Sequence, residues 1–195
     1  MTKPSVRTEA EELLLLEEIR AFAESLRSAL AQTPYAPAND RCGVSTAAPR
    51  RLLDDSLHRV KAFLLHKAQT EPQTPEATSE QAYALWLFSS YLAHHQCMTI
   101  LDADFDALYE FFFWWYPRQC ENASEALTAR LFGSLREMFA FLVSQGELPD
   151  DSAVRGFWPL KDSALLLLTL YEQLNPESPY FEEQFEALFG LQPEG

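Results

Sequence analysis

The chain has 195 residues, with 29 acidic against 15 basic side chains and a formal net charge of −14. Hydrophobic residues make up 47% and aromatics 13%, which excludes wholesale disorder, and glycine is scarce at 6 positions, which favours helices. The acidic field repels nucleic-acid phosphate and anionic lipid over most of the surface and suits a basic partner.

In chain order, the first helix begins near Thr8, where Glu11 three residues later completes a capping-box pattern. Leu15, Ile19, Phe22, Leu26 and Leu30 follow at three- and four-residue steps as its apolar stripe. The turn-rich segment 32–49 predicts a long loop, and Pro49 opens a second helix to about residue 68 with Leu53, Leu57, Val60 and Leu64 inward. Residues 69–79 combine two prolines with polar side chains and read as a linker. The expected organisation is a helical pair over 1–68, the linker over 69–79 and a helical bundle over 80–190, with a single domain as the other option.

Ser79 is the expected cap of AYALWLFSSYLAHH, which is apolar nearly all round and therefore central. The next helix starts at Asp102 and ends at Pro117, because proline disfavours helix at the residue before it. Asn122 and Glu125 make a capping-box pattern for a helix with Leu127, Leu131, Leu135, Met138, Phe139 and Leu142 inward, stopped by Gly146. A loop, an apolar helix over about 163–174 and a short helix with Phe181, Phe185, Leu188 and Phe189 complete an all-α bundle of about seven helices without β-sheet.

The stretch EFFFWWYPRQC, residues 110–120, places six aromatics in succession. At about 100° per residue, Phe112, Phe113, Trp115 and Tyr116 share one broad apolar face, whereas Phe111 and Trp114 fall behind it beside Asp106 and Glu110. Phe111 and Trp114 are therefore the candidate partner-binding residues, since aromatic side chains are enriched in the centres of interfaces. Arg118, Arg130, Arg136 and Arg155 form the candidate nucleic-acid patch.

Catalytic and cofactor signatures are sparse. His94 and Cys97 could share a helical face with Cys120 as a third ligand, but a structural zinc site needs four, so no metal is expected. Asp102, Asp104 and Asp106 start like a calcium loop, but Ala107 and Phe113 stand where its glycine and final glutamate belong. No phosphate-binding glycine loop, GxSxG or HExxH occurs, and neither a cofactor nor an enzymatic activity is expected. The three cysteines, Cys42, Cys97 and Cys120, have no framework spacing, which suits a reducing compartment. The N-terminus lacks the pattern of a secretory signal, and the apolar runs are too short to span a bilayer. A cytoplasmic location without membrane association is the expectation.

From about 80 to 150 the order of features resembles the N-terminal core-binding, SAM-like domain of tyrosine recombinases (phage integrases). Ser134-Leu135-Arg136, Phe139, Phe141-Leu142 and Gly146-Glu147-Leu148 carry the similarity. The resemblance implies a helical domain that clamps DNA. The family's catalytic Arg, His-x-x-Arg and Tyr lie in a later domain, and no His-x-x-Arg follows residue 150 here.

Two functions follow as expectations. The first is a non-enzymatic, acidic helical adaptor that binds a protein partner, for which a basic one is suited, or pairs with itself through an aromatic surface. The second is a DNA-associated accessory protein related to recombinase core-binding domains.

Overall fold

The computed structural model describes residues 7–32, 48–71 and 73–190. Most of the expected loop over 32–49, with Cys42, lies outside them. Among the described residues, 81% are helical and none is in a strand, so the all-α expectation holds.

The helices are α1 (Glu9–Gln32), α2 (Pro49–Thr70), α3 (Pro75–Tyr91), α4 (Phe105–Glu110), α5 (Tyr116–Gln119), α6 (Glu125–Ser144), α7 (Ser152–Phe157), α8 (Lys161–Glu172) and α9 (Phe181–Phe189). A π turn, Leu92–Gln96, extends α3, and a second, Phe111–Trp115, joins α4 to α5 in one continuous rod. A 3₁₀ turn, Trp158–Leu160, similarly fuses α7 to α8. Seven rods result among the described residues. The segment before α8 looks loop-like because of Gly156 and Pro159, yet Val154, Phe157 and Leu160 recur every third residue and are all buried.

Local chemistry sets the ends of these rods. The capping box at the start of α1 is formed: the backbone N–H and hydroxyl of Thr8 donate to the Glu11 carboxylate at 2.7 and 2.9 Å. The backbone bond first, then the hydroxyl, holds the Glu11 carboxyl below its usual value. Helix α3 starts five residues earlier than a cap at Ser79 implies, because Thr74 accepts from the Ala77 N–H and Pro75 fills the first turn. Ser124, not Asn122, caps α6 by accepting from the Leu127 N–H. Gly146 ends the α6 segment in the left-handed region at φ 73°, with the Glu147 N–H returning to the Leu142 carbonyl at 3.0 Å.

Helices on both sides of 69–79 contribute to one contiguous core. Leu15, Ile19 and Leu26 of α1 and Val60 and Phe63 of α2 join the rings of the central rod and Leu188 of α9. α1 and α9, far apart in sequence, lie side by side. The Gln184 amide donates to the Glu12 carbonyl and carboxylate, each at 3.0 Å, and the Ser178 hydroxyl donates to the same carboxylate at 3.1 Å. Paired polar groups of this kind replace the water that burial of Glu12 and Gln184 removes.

The face of α2 is turned by one residue from the expected stripe. Leu52, Ser56, Val60 and Phe63 are buried, whereas Leu53, Leu57 and Leu64 flank them at intermediate exposure. Ser56 is the reason. Its hydroxyl donates to the Leu52 carbonyl and accepts from the Ile100 N–H, both at 3.0 Å, tying α2 to the link between α3 and α4.

Ser56→Ala therefore leaves a buried N–H unpaired and is expected to cost about 1–3 kcal/mol in urea unfolding. A second expectation concerns alkaline pH. Burial pushes the Tyr109 hydroxyl up from 10.0 to about 12. Between those values the unfolded chain sheds a proton that the folded chain keeps, so stability falls as pH rises. Tyr109→Phe should flatten that fall in urea titrations run at steps across this range.

Candidate functional site

The rod formed by α4, the π turn and α5 runs through the middle of the bundle, and its neighbours decide where each aromatic goes. Proline lacks an N–H, and in an α-helix its ring would meet the carbonyl four residues earlier, here that of Phe113. The rod does not end before Pro117 as the sequence suggests. It widens into a π turn over Phe111–Trp115, the Tyr116 N–H pairs with the Phe111 carbonyl, and helix continues to Gln119.

This register corrects the expected position of Phe111. The ring is 0% exposed, at the centre of the core, and is not a surface contact residue. It packs on Phe88 and Tyr91 of α3, with centroids at 5.1 and 5.2 Å, and the wider turn brings Tyr116 beneath it at 5.6 Å. Residues five apart do not share a face at 100° per residue, so a uniform α-helix puts Phe111 on the wrong side. The opposite side of the rod is equally covered: Phe112 meets Phe132 at 4.2 Å and Phe157 at 5.5 Å. Buried on nearly all sides, the rod has no broad back.

Trp114 is the exception. It remains 43% exposed, with one edge against Phe189 of α9 at 5.7 Å. The Arg118 guanidinium lies 4.2 Å from the Trp114 ring centre and 5.4 and 5.6 Å from those of Phe185 and Phe189. Four residues separate Trp114 from Arg118, and Phe185 from Phe189, so each pair shares a helix face and the two faces meet. Arg118 makes no ion pair among the described residues, and its charge faces aromatic rings.

The other arginines are engaged separately. Arg130 pairs with Glu80 at 2.6 Å and Arg155 with Asp151 at 3.6 Å, while the Arg136 guanidinium lies 5.0 Å from the Trp158 ring centre. Trp115 is half-buried, and its indole N–H donates to His95 Nε2 at 3.1 Å. His94 Nδ1 is 2.8 Å from the Ser90 carbonyl, and the Cys120 thiol is 3.0 Å from Asn122 Oδ1. Burial pushes that thiol above its usual value. Among the described residues no group of three His, Cys, Asp or Glu side chains could hold a metal ion, and no helix is long and apolar enough to cross a membrane.

A second exposed aromatic pair escaped the sequence pattern. Tyr83 and Trp86 of α3 stack at 5.9 Å, and Trp86 is 43% exposed. The available signal was the run Glu80, Tyr83, Trp86, Ser90 and His94, in which polar residues at helical spacing mark a solvent face. The Tyr83 hydroxyl donates to Asn122 Oδ1 at 3.2 Å, which fixes the pair against the α5–α6 link.

Comparison with family models, with curated proteins and with solved structures finds no match to the chain.

The two back-face aromatics should separate cleanly in urea unfolding. Phe111→Ala removes a fully buried ring and is expected to cost about 3–5 kcal/mol. Trp114→Ala loses one edge contact and one cation–π contact and should cost about 1 kcal/mol.

Proposed function

We propose that the protein acts by binding, and that Trp114, Arg118 and Phe185 form the centre of its contact surface for a basic segment of a partner protein. The observation that carries this reading is the half-exposed Trp114 ring with the Arg118 guanidinium over it, 4.2 Å from its centre. Trp and Arg are the side chains that most often dominate binding energy at interfaces. This contact also pre-orders both groups, so less rotamer freedom remains to be lost on association.

The partner's chemistry follows from the surroundings. Glu182 and Glu186 are exposed on the same helix as Phe185, Glu183 beside them pairs with Arg20, and the whole chain carries −14. An apolar or aromatic group of the partner would cover Trp114, while its lysines and arginines would meet the acidic rim. Such a rim speeds and orients encounter more than it adds affinity. Self-association through the same surface is less favoured, because it brings two acidic rims together. The DNA-associated reading has weaker support, since Arg130 and Arg155 are paired with carboxylates and Arg118 and Arg136 lie on rings.

A photo-crosslinking residue at Phe185, in the full chain in its native cell, tests the proposal. Expected is a crosslink to one protein through a Lys/Arg-rich segment. Binding to that protein should weaken at least tenfold in Trp114→Ala and Arg118→Ala variants of unchanged circular dichroism, and should weaken with added salt. Crosslinks only to a second copy of the chain, or affinity within twofold of wild type in both variants, would overturn it.

A further inference from the structure

Leu14 of α1 and Leu65 of α2 are the most exposed large hydrophobic side chains among the described residues, at 59% and 55%. One exposed leucine means little on a protein surface. The two helices that carry them, however, are opposite in sign. Helix α1 holds six glutamates against two arginines, whereas α2 holds five lysines and arginines against two aspartates. In an acidic chain, α2 is the one long helix among the described residues with a positive balance. The two do not cover each other within the fold: α1 lies on α8 and α9, and α2 on α3 and α6.

Their outward faces also share a spacing. Leu14, Glu18, Ala21, Ser25 and Ser28 follow one another by alternate steps of four and three residues, and all are exposed. Leu65, Lys61, His58, Asp54 and Arg51 step back along α2 by the same intervals, and all are exposed. This alternation is the one at which two helices mesh side by side, over about 21 Å here. In antiparallel register Leu14 meets Leu65 and Glu18 meets Lys61. The small side chains of Ala21, Ser25 and Ser28 then receive His58, Asp54 and Arg51, so large groups face small ones. Glu18, Lys61 and Arg51 make no ion pair among the described residues and are free to do so here. Parallel pairing of the leucines would set Glu18 against Gln69 and Lys61 against Ala10. Pairing α1 with α1, or α2 with α2, would bring like charges together.

We propose that α1 of one copy docks antiparallel on α2 of a second copy, so that the protein associates with itself through two unlike faces. A second copy is the occupant because both halves of the complementary contact lie on this chain. One helix pair falls below the roughly 1,200 Å² that marks a standard stable interface, so the contact is weak and forms at high concentration. At about 0.15 M salt the Debye length is about 8 Å, which screens the net −14 of each copy while the touching faces still attract. The contact shares no residue with the surface around Trp114, so it stands or falls independently of partner binding there.

The test is sedimentation velocity of the full chain at about 0.15 M salt, from about 3 μM to about 0.5 mM. The average mass should rise with concentration. Glu18→Lys and Lys61→Glu, both at exposed positions, should each weaken association roughly tenfold while circular dichroism stays unchanged. An equal mixture of the two variants should associate again, because the unaltered α1 of one meets the unaltered α2 of the other. A single-chain mass at every concentration, association in both variants within twofold of wild type, or a mixture no heavier than its components would each overturn the proposal.

Discussion

The hydrogen bond from the Tyr116 N–H to the Phe111 carbonyl, spanning five residues, organises the centre of this protein. It closes a π turn where Pro117 would otherwise break an α-helix, and it lets three consecutive phenylalanines enter the core. Phe111 reaches α3, Phe112 reaches α6 and α7, and Phe113 stacks on Tyr109 at 4.9 Å. Each fully buried ring contributes roughly 1.5–3 kcal/mol through lost hydration alone, so the turn governs a large part of a typical domain's net stability. Tyr116 extends the connection: its hydroxyl accepts from the Ser124 N–H at 3.1 Å and from the Thr128 hydroxyl at 3.3 Å, setting where α6 begins. Burial raises the Tyr116 hydroxyl above its usual value, with those hydrogen bonds opposing the shift.

The same turn divides interior from surface. With Phe111 inward and Tyr116 beneath it, Trp114 is left on the open side, one helical turn from Arg118. The proposed contact surface is in this sense a by-product of core packing. Rigid support from α9 behind Trp114, through Phe189, gives it the fixed geometry that a binding residue needs.

How much of this was legible in the sequence depends on whether the cause is local. The capping box of Thr8 and Glu11, the stop at Gly146 and the stripe of α1 arise within a few residues, and the sequence pattern locates them. Phe111 was misplaced because a constant 100° per residue cannot represent an extra residue in one turn, and because a rod covered on most sides has no back face. The α2 stripe was off by one position because Ser56 is buried for a hydrogen bond to Ile100, a residue distant in sequence. Trp86 was missed because a helix apolar nearly all round was read as central, although Ser90 and His94 mark its wet side.

The central claim is that a π turn over residues 111–115 sends Phe111 into the core and leaves Trp114 outside. The most direct measurement is the nuclear magnetic resonance coupling across backbone hydrogen bonds in ¹³C,¹⁵N-labelled protein. A coupling between the Tyr116 nitrogen and the Phe111 carbonyl carbon is the result this account predicts. A coupling from Tyr116 to the Phe112 carbonyl, the register of an unbroken α-helix, would contradict it.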